Sequence, residues 1–397
     1  MLGKALALRF FEASWIQRWN DKIRPVDLTE LDKHSHKMII AYCLGKYEEE
    51  AGKTVNWDGV IKGGVYELLR RIVISDIKSP VYRKIKENYK PQFMELSKWV
   101  YDQLEEELSS VAGGAIRDEF KEYLLNEAYL DPLTYRILGA AHAYASYWEF
   151  QIIRQTSPFG YKIAEIQKTM KNDLEEYLDL EGMRKIMTSQ KVSDFIDLCG
   201  QLRFQVRWGG LPRLPKTSVL GHMLMTAIFT WLLTREIPAC DRRLYNNFFG
   251  GLFHDLPEAV TRDIISPVKN SVAGLPEAIG QIERELAQEE IYPLLEESWL
   301  PEFQYFTIDE FVSKMREGDT PRVVSSEQIT AKYNEDRFDP KDGELVNIAD
   351  KFSAFLEAYQ SKEFGLVAPW TEVVSEMIGK KKDDTNAMVR ELYRQFL

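Results

Sequence analysis

The chain repeats itself once, and no other feature limits its fold as much. Gln17-Arg18-Trp19 stands opposite Val206-Arg207-Trp208, and Ser75-Asp76-Ile77-Lys78-Ser79-Pro80-Val81 stands opposite Arg262-Asp263-Ile264-Ile265-Ser266-Pro267-Val268. Ile137-Leu138-Gly139-Ala140-Ala141-His142 matches Leu345-Val346-Asn347-Ile348-Ala349-Asp350 in the same way. The offsets are 189 (208 − 19), 187 (263 − 76) and 208 (350 − 142), so the second copy holds 21 more residues (208 − 187) before its last match. Three matches in one order point to duplication, and a period of this length is a domain rather than a solenoid turn. Apolar residues recur at helical spacing in Met38–Leu44, Phe93–Leu108, Met223–Leu233 and Phe352–Tyr359, while alternating strand patterns are scarce, which predicts an all-α fold. The charged stretch Lys168–Lys191 ends where a second apolar pattern begins, and a boundary near 185 divides the chain into domains 1–185 and 186–397.

Composition narrows the function classes. The 45% hydrophobic content of the 397 residues supports a large core. No apolar run approaches the roughly 18 residues of a membrane helix. The N-terminal MLGKALALRFFEASW carries no small-residue cleavage site, so the expected location is the cytoplasm, with no membrane partner. A balance of 51 basic against 62 acidic residues, net −11, argues against a nucleic-acid partner but leaves room for a small phosphorylated substrate in a local cationic pocket. Cys43, Cys199 and Cys240 are odd in number and not spaced as zinc ligands, and are expected reduced and buried.

Chemistry concentrates in the second copy. His254-Asp255 lies between the apolar run Phe248–Phe253 and the polar Pro257–Arg262, where one helix ends and another starts at Pro257. Neutral imidazole and carboxylate oxygen are the ligand types that hold a divalent transition ion. His222 opens the amphipathic stretch Met223–Leu233, and Asp350 interrupts an apolar helix face, where a carboxylate needs a partner. Each residue alone is ordinary, a core histidine or a chance dipeptide. Their order, His222, then His254-Asp255 beginning 32 residues on (254 − 222), then Asp350 a further 95 on (350 − 255), is not.

This order resembles the HD-domain metal-dependent phosphohydrolases, an all-helical superfamily. Arg203–Trp208, Ser218–His222, Phe253–Lys269 and Ala349–Lys351 are similar to motifs of the bacterial HD-domain 5′-deoxynucleotidases. The resemblance implies that His222, His254, Asp255 and Asp350 bind one divalent ion, of identity open among Mn, Co, Zn, Fe, Ni and Mg. It further implies that Glu258 and Asp263 serve catalysis and that Arg207 and Trp208 contact a small nucleotide, with Lys269 a candidate for added positive charge. Glu258 follows His254 by four residues and so shares its helical face. The expected reaction is hydrolysis of a phosphomonoester, a nucleoside or deoxynucleoside 5′-monophosphate. Cyclic-nucleotide phosphodiesterase, triphosphohydrolase and guanosine tetraphosphate hydrolase activities share the same ligands. A non-catalytic nucleotide-binding regulator is the reading outside enzymes, and the retained Glu258 and Asp263 argue against it. Two departures stand out: Gly221-His222-Met223 replaces the family's more usual Glu-His-Ser, which puts the orientation of His222 in question, and 307–343 adds a charged, weakly patterned stretch readable as a lid or a surface insertion.

Applied to the first copy, the repeat removes the ligands. Glu67 and Leu68 stand at His254 and Asp255, Arg71 at Glu258 and His142 at Asp350; only Asp76 and a histidine near the first position, His34 or His36, survive. This half is expected to bind no catalytic metal and to supply an intrachain partner surface, two tandem HD-type domains forming a pseudo-dimer. A second site built from His34, His36, Glu67 and His142 is the alternative, and association of two whole chains into a homodimer stays open.

Overall fold

The computed structural model describes every residue except 76, 189, 263, 265–270 and 319. Among the described residues the regular structure is helical apart from two small antiparallel ribbons, Gln17–Arg18 with Leu28–Thr29 and Lys314–Glu317 with Thr320–Val323. The all-α expectation holds.

Six helices position the site, three from each copy: α1 Glu30–Glu50, α2 Trp57–Val73, α3 Pro132–Thr156, α4 Val219–Thr234, α5 Asp241–Phe253 and α6 Gly343–Glu363. Side-chain caps start five of them. Thr29 accepts from the backbone N–H of Asp32 and Ser218 from that of Gly221, while Asn56, Asp131 and Asp342 do the same for α2, α3 and α6. Pro132 adds a preset first turn to α3. Every residue of α4 is buried, as suits a helix apolar on all sides at the centre of a protein. It packs on α5, on α6 and on α1 of the other copy.

The two copies share one core. Tyr42 of α1 meets Phe249 and Phe253 of α5 at ring centroid distances of 5.0 and 5.1 Å, and Trp57 meets Tyr245 at 5.2 Å. Arg203, from the second copy, pairs with Glu149 of α3 at 2.9 Å and donates to Nδ1 of His36 at 3.1 Å. Residue 185 falls inside the helix Glu181–Thr188, which packs on α1 at Gly182. Cys43 and Cys199 are buried and Cys240 only half-buried; all three are free thiols.

The stretch 307–343 differs from the weakly structured segment expected. It forms the second ribbon and short helical turns, and two ion pairs tie it down: Arg243 to Asp342, fully buried, at 2.6 Å, and Arg242 to Asp339, partly exposed, at 2.7 Å. Lys341, fully buried, donates to the carbonyl of Glu310 at 2.8 Å. The arginines of these pairs come from α5, more than sixty residues earlier, and so leave no local pattern.

Candidate metal centre

The first turn of α4, the end of α5 and the middle of α6 converge on one point. The Ser218 cap sets the register that places His222 in the first turn of α4. Helix α5 stops at Phe253, so His254 and Asp255 follow at its end, and Pro257 precedes the short helix Glu258–Thr261. Gly251 lets α5 approach α4 closely, since a Cβ there would lie 2.9 Å from Cα of Ala227. That approach brings the rings of His222 and His254 to 5.4 Å between centroids. Asp350, two turns into α6, completes the group.

The distances are short. One ligand atom each from His222, His254 and Asp350 lies within 4.8 Å of the others, the one such group of three among the described residues. His222 Nε2 is 2.9 Å from Asp350 Oδ1, and Asp255 Oδ2 is 3.2 Å from His254 Nε2 and 3.7 Å from His222 Nε2. His254 Nδ1 donates to the carbonyl of Gly251 at 2.8 Å, which orients the ring with Nε2 facing the cluster. That Nε2 atom is buried facing two carboxylates, Asp255 at 3.2 Å and Asp350 at 3.7 Å. Burial opposes protonation of His254, yet Asp255 and then Asp350 outweigh it and hold the imidazole well above the ordinary histidine value. Asp255 is correspondingly held down, to about 2: burial opposes its charge, and His254 leads the groups that stabilise it. Two carboxylates beside a buried imidazole pair form the donor set of a divalent ion site, and the residues fit such an ion.

The expected neighbours divide into three groups. Arg207 and Trp208 reach the site through a backbone bridge between Val206 and Ser218, Trp208 with a left-handed φ of 60°. Arg207 NH1 lies 3.3 Å from Asp255 Oδ2, so its guanidinium sits beside the ligand cluster. Trp208 points elsewhere, its indole N–H donating to Glu357 at 2.7 Å and its ring meeting Trp370 at 5.3 Å. Glu258 is buried, and its charge, with those of Glu357, Asp255 and Asp350, holds the Arg207 guanidinium charged against burial. Asp263 and Lys269 lie outside the described residues. His222 Nδ1 is buried without a hydrogen-bond partner, so the orienting contact that the Gly221 departure called into question is not made among the described residues. From 307–343, the ring of Phe311 stands 6.2 Å from that of His254, so this segment walls the site.

Glu357 was not foreseen. Two turns beyond Asp350 on α6, it takes Arg207 Nε at 3.3 Å, Arg213 NH1 at 3.0 Å and the Thr217 hydroxyl. Burial opposes its charge, but Arg213 and Arg207 hold the carboxyl at about 2. Its counterpart is Glu149, at the same offset of 208 (357 − 149) that relates Asp350 to His142. Glu149 takes Trp19 Nε1 at 3.0 Å, Arg18 Nε at 2.8 Å and Arg203 NH1 at 2.9 Å, and Trp19 shares the left-handed backbone with φ 54°.

This frame corrects one expectation. The caps Thr29 and Ser218 each stand four residues before the first ligand position, so the counterpart of His222 is Lys33, neither His34 nor His36. Lys33 Nζ lies 2.7 Å from His142 Nδ1, repeating the His222–Asp350 contact with a cation in place of a ligand. His36 is a core histidine, bonded through Nε2 to the carbonyl of Ile196 at 2.9 Å and edge-on to Trp148. Of the four residues of the alternative site, His34, Glu67 and His142 meet, Glu67 Oε1 lying 3.9 Å from His34 Nε2 and 2.9 Å from His142 Nδ1, while His36 makes its contacts elsewhere.

Two family matches agree with this frame. The HD domain family matches residues 199–379, and the family described as 5′-deoxynucleotidase YfbR-like matches residues 9–185. No curated protein matches the chain.

Proposed function

The chain belongs to the HD-domain superfamily, with two tandem copies of its helical domain, and from that premise we propose that it hydrolyses a nucleoside or deoxynucleoside 5′-monophosphate with a divalent ion held by His222, His254, Asp255 and Asp350. The observation that carries this reading is the buried Nε2 of His254 facing the carboxylates of Asp255 and Asp350 at 3.2 and 3.7 Å, with the Arg207 guanidinium alongside. The division at 185/186 into an eroded and an intact domain belongs to the same reading.

When bound, the ion supplies Lewis-acid charge to the phosphate ester. The protein supplies the rest. Arg207, anchored by Glu357 on one side, offers its fork to phosphate oxygens. Water attacks phosphorus and the bond to the sugar oxygen breaks. In this reading Glu258 takes the proton from the water and returns it to that oxygen, so alcohol and inorganic phosphate leave with protons balanced. Trp208, tied to Glu357 and Trp370, holds the Arg207 loop rather than the base.

The test is a phosphate-release screen of the purified chain with Mn²⁺, Co²⁺, Mg²⁺ and Zn²⁺ against mono-, tri- and cyclic nucleotides. Release from 5′-monophosphates is expected. Release confined to cyclic or triphosphate substrates would reassign the substrate, and silence across the panel would remove the enzyme reading.

A further inference from the structure

The N-terminal pocket is an inversion of the C-terminal one. At six matched positions the C-terminal copy has His222, Thr226, His254, Asp255, Glu258 and Asp350, three carboxylates and no cation. The N-terminal copy has Lys33, Lys37, Glu67, Leu68, Arg71 and His142, three cations against one carboxylate. A pocket built on the first set calls for a cation; a pocket built on the second calls for an anion.

Its charges are met from within only in part, Arg71 also donating to the carbonyl of Ile77 at 2.9 Å. Lys37 is paired to Glu67 at 2.6 Å, and Arg71 stands 3.4 Å from Glu30, a carboxylate already shared with Arg18 at 2.9 Å. Lys33 fares worse. Its fully buried ammonium has three donors; His142 Nδ1 lies 2.7 Å away but also stands 2.9 Å from Glu67 Oε1, and the nearest carboxylate oxygen to Lys33 among the described residues is 4.0 Å away on Glu30. Burial pulls it down to about 7, the response of a charge short of counter-charge.

The rim is partly exposed while Lys33 lies buried beneath it. The side chains of Glu67 and Arg71 are each 18% exposed and that of His142 40%, against 19% for Asp255 and 22% for Asp350 in the other copy. Erosion of a ligand set that served only packing would be expected to close the pocket with apolar groups; here cations line it.

We propose that the N-terminal copy binds a phosphate dianion, free or borne by a nucleotide, between Lys33, Arg71 and His142, without metal and without cleaving it. Lys33 and Arg71 supply charge-assisted donors, and the phosphate supplies the two negative charges the pocket lacks. Cleavage is absent because Leu68 cannot ligate an ion and Arg71 cannot shuttle a proton as Glu258 does. The inference rests on the correspondence of the two copies, not on turnover at His254, and stands or falls separately from it.

The test is equilibrium dialysis of the full chain in EDTA with inorganic phosphate and, in a second arm, a deoxynucleoside 5′-monophosphate. One saturable site per chain is expected, retained in Asp255→Ala and weakened at least tenfold in Arg71→Gln and Lys33→Gln. Tighter binding of the nucleotide than of phosphate names the nucleotide as source; equal binding names phosphate. Arg71 is partly exposed, so Arg71→Gln carries the test if Lys33→Gln does not fold, with thermal melting as the control. No saturable binding in EDTA, binding unchanged in folded Arg71→Gln, or binding lost in Asp255→Ala overturns the proposal.

Discussion

The hydroxyl of Ser218 donates to Oδ1 of Asp32, which joins the first turn of the helix carrying His222 to the first turn of the helix carrying Lys33. That contact accounts for Gly221, since a Cβ there would lie 2.9 Å from Asp32 Oδ1 and 3.1 Å from Leu31 Cδ2. Gly221→Ala gains about 1 kcal/mol of helix propensity but overpacks a buried contact at about 1–3 kcal/mol. A net loss of about 1 kcal/mol is expected in denaturant titration. In an Asp32→Ala background the same substitution should cost less, Leu31 remaining in the way, and strict additivity of the two would contradict the steric account.

Metal content should follow the second copy alone. The full chain, loaded with Mn²⁺ or Co²⁺ and desalted, is expected to retain one ion by elemental analysis. Asp350→Ala and His254→Ala should lose it, and turnover should drop at least about a hundredfold, the worth of a few kcal/mol of charge stabilisation. His142→Ala, at the matching place in the first copy, should keep both. A second ion that disappears with His142 would show that the first copy is a metal site.

Much of this was legible in the sequence, for reasons that also explain what was not. The helical periods of Met223–Leu233 and Phe352–Tyr359 are local, and His222 and His254, two of only five histidines, stand with Asp350 at a telling spacing. Lys33 was hidden because a search for a ligand passes over a lysine, although the offset of 189 and the hydroxyls of Thr29 and Ser218 both point to it. Glu357 reads as one more acid on a helix, and only its repeat partner Glu149, at the offset of the ligand pair, marks it out. The ordering of 307–343 by Arg242 and Arg243 is a long-range property that no window of sequence contains.

Lys33 makes a pH prediction. Its folded value near 7 lies below the roughly 10.4 of an unfolded lysine, so between these values the unfolded chain binds more protons and stability rises with pH. The penalty is full below about pH 7 and fades toward pH 10. Lys33→Met should therefore be more stable than the parent at pH 6, by up to a few kcal/mol, since each tenfold loss of proton affinity on folding costs about 1.4 kcal/mol. The gap should shrink as pH rises, with melts run in phosphate-free buffer. A gap independent of pH would mean that Lys33 is already paired in the free protein.

Glu149 and Glu357 offer the cleanest separation of packing from chemistry. Each is buried and holds two arginines and an indole N–H, so Glu149→Gln and Glu357→Gln remove the same charge from the same setting. Removing one partner of a buried ion pair costs about 3–5 kcal/mol, and a glutamine that still accepts one hydrogen bond should fall at or below the low end. Similar losses are expected from both in urea titration. Their effects on turnover should part. Glu357 anchors Arg207 beside Asp255, so Glu357→Gln should lower kcat about 10- to 100-fold at temperatures where the protein stays folded, the cost of a misplaced charge near the phosphate. Glu149 anchors Arg18 on the copy whose ligand positions hold Lys33 and Leu68, so Glu149→Gln should leave kcat within about twofold while loosening the pocket that faces Lys33. Equal losses of turnover in the two variants would detach Arg207 from the reaction and reduce both carboxylates to anchors of the shared core.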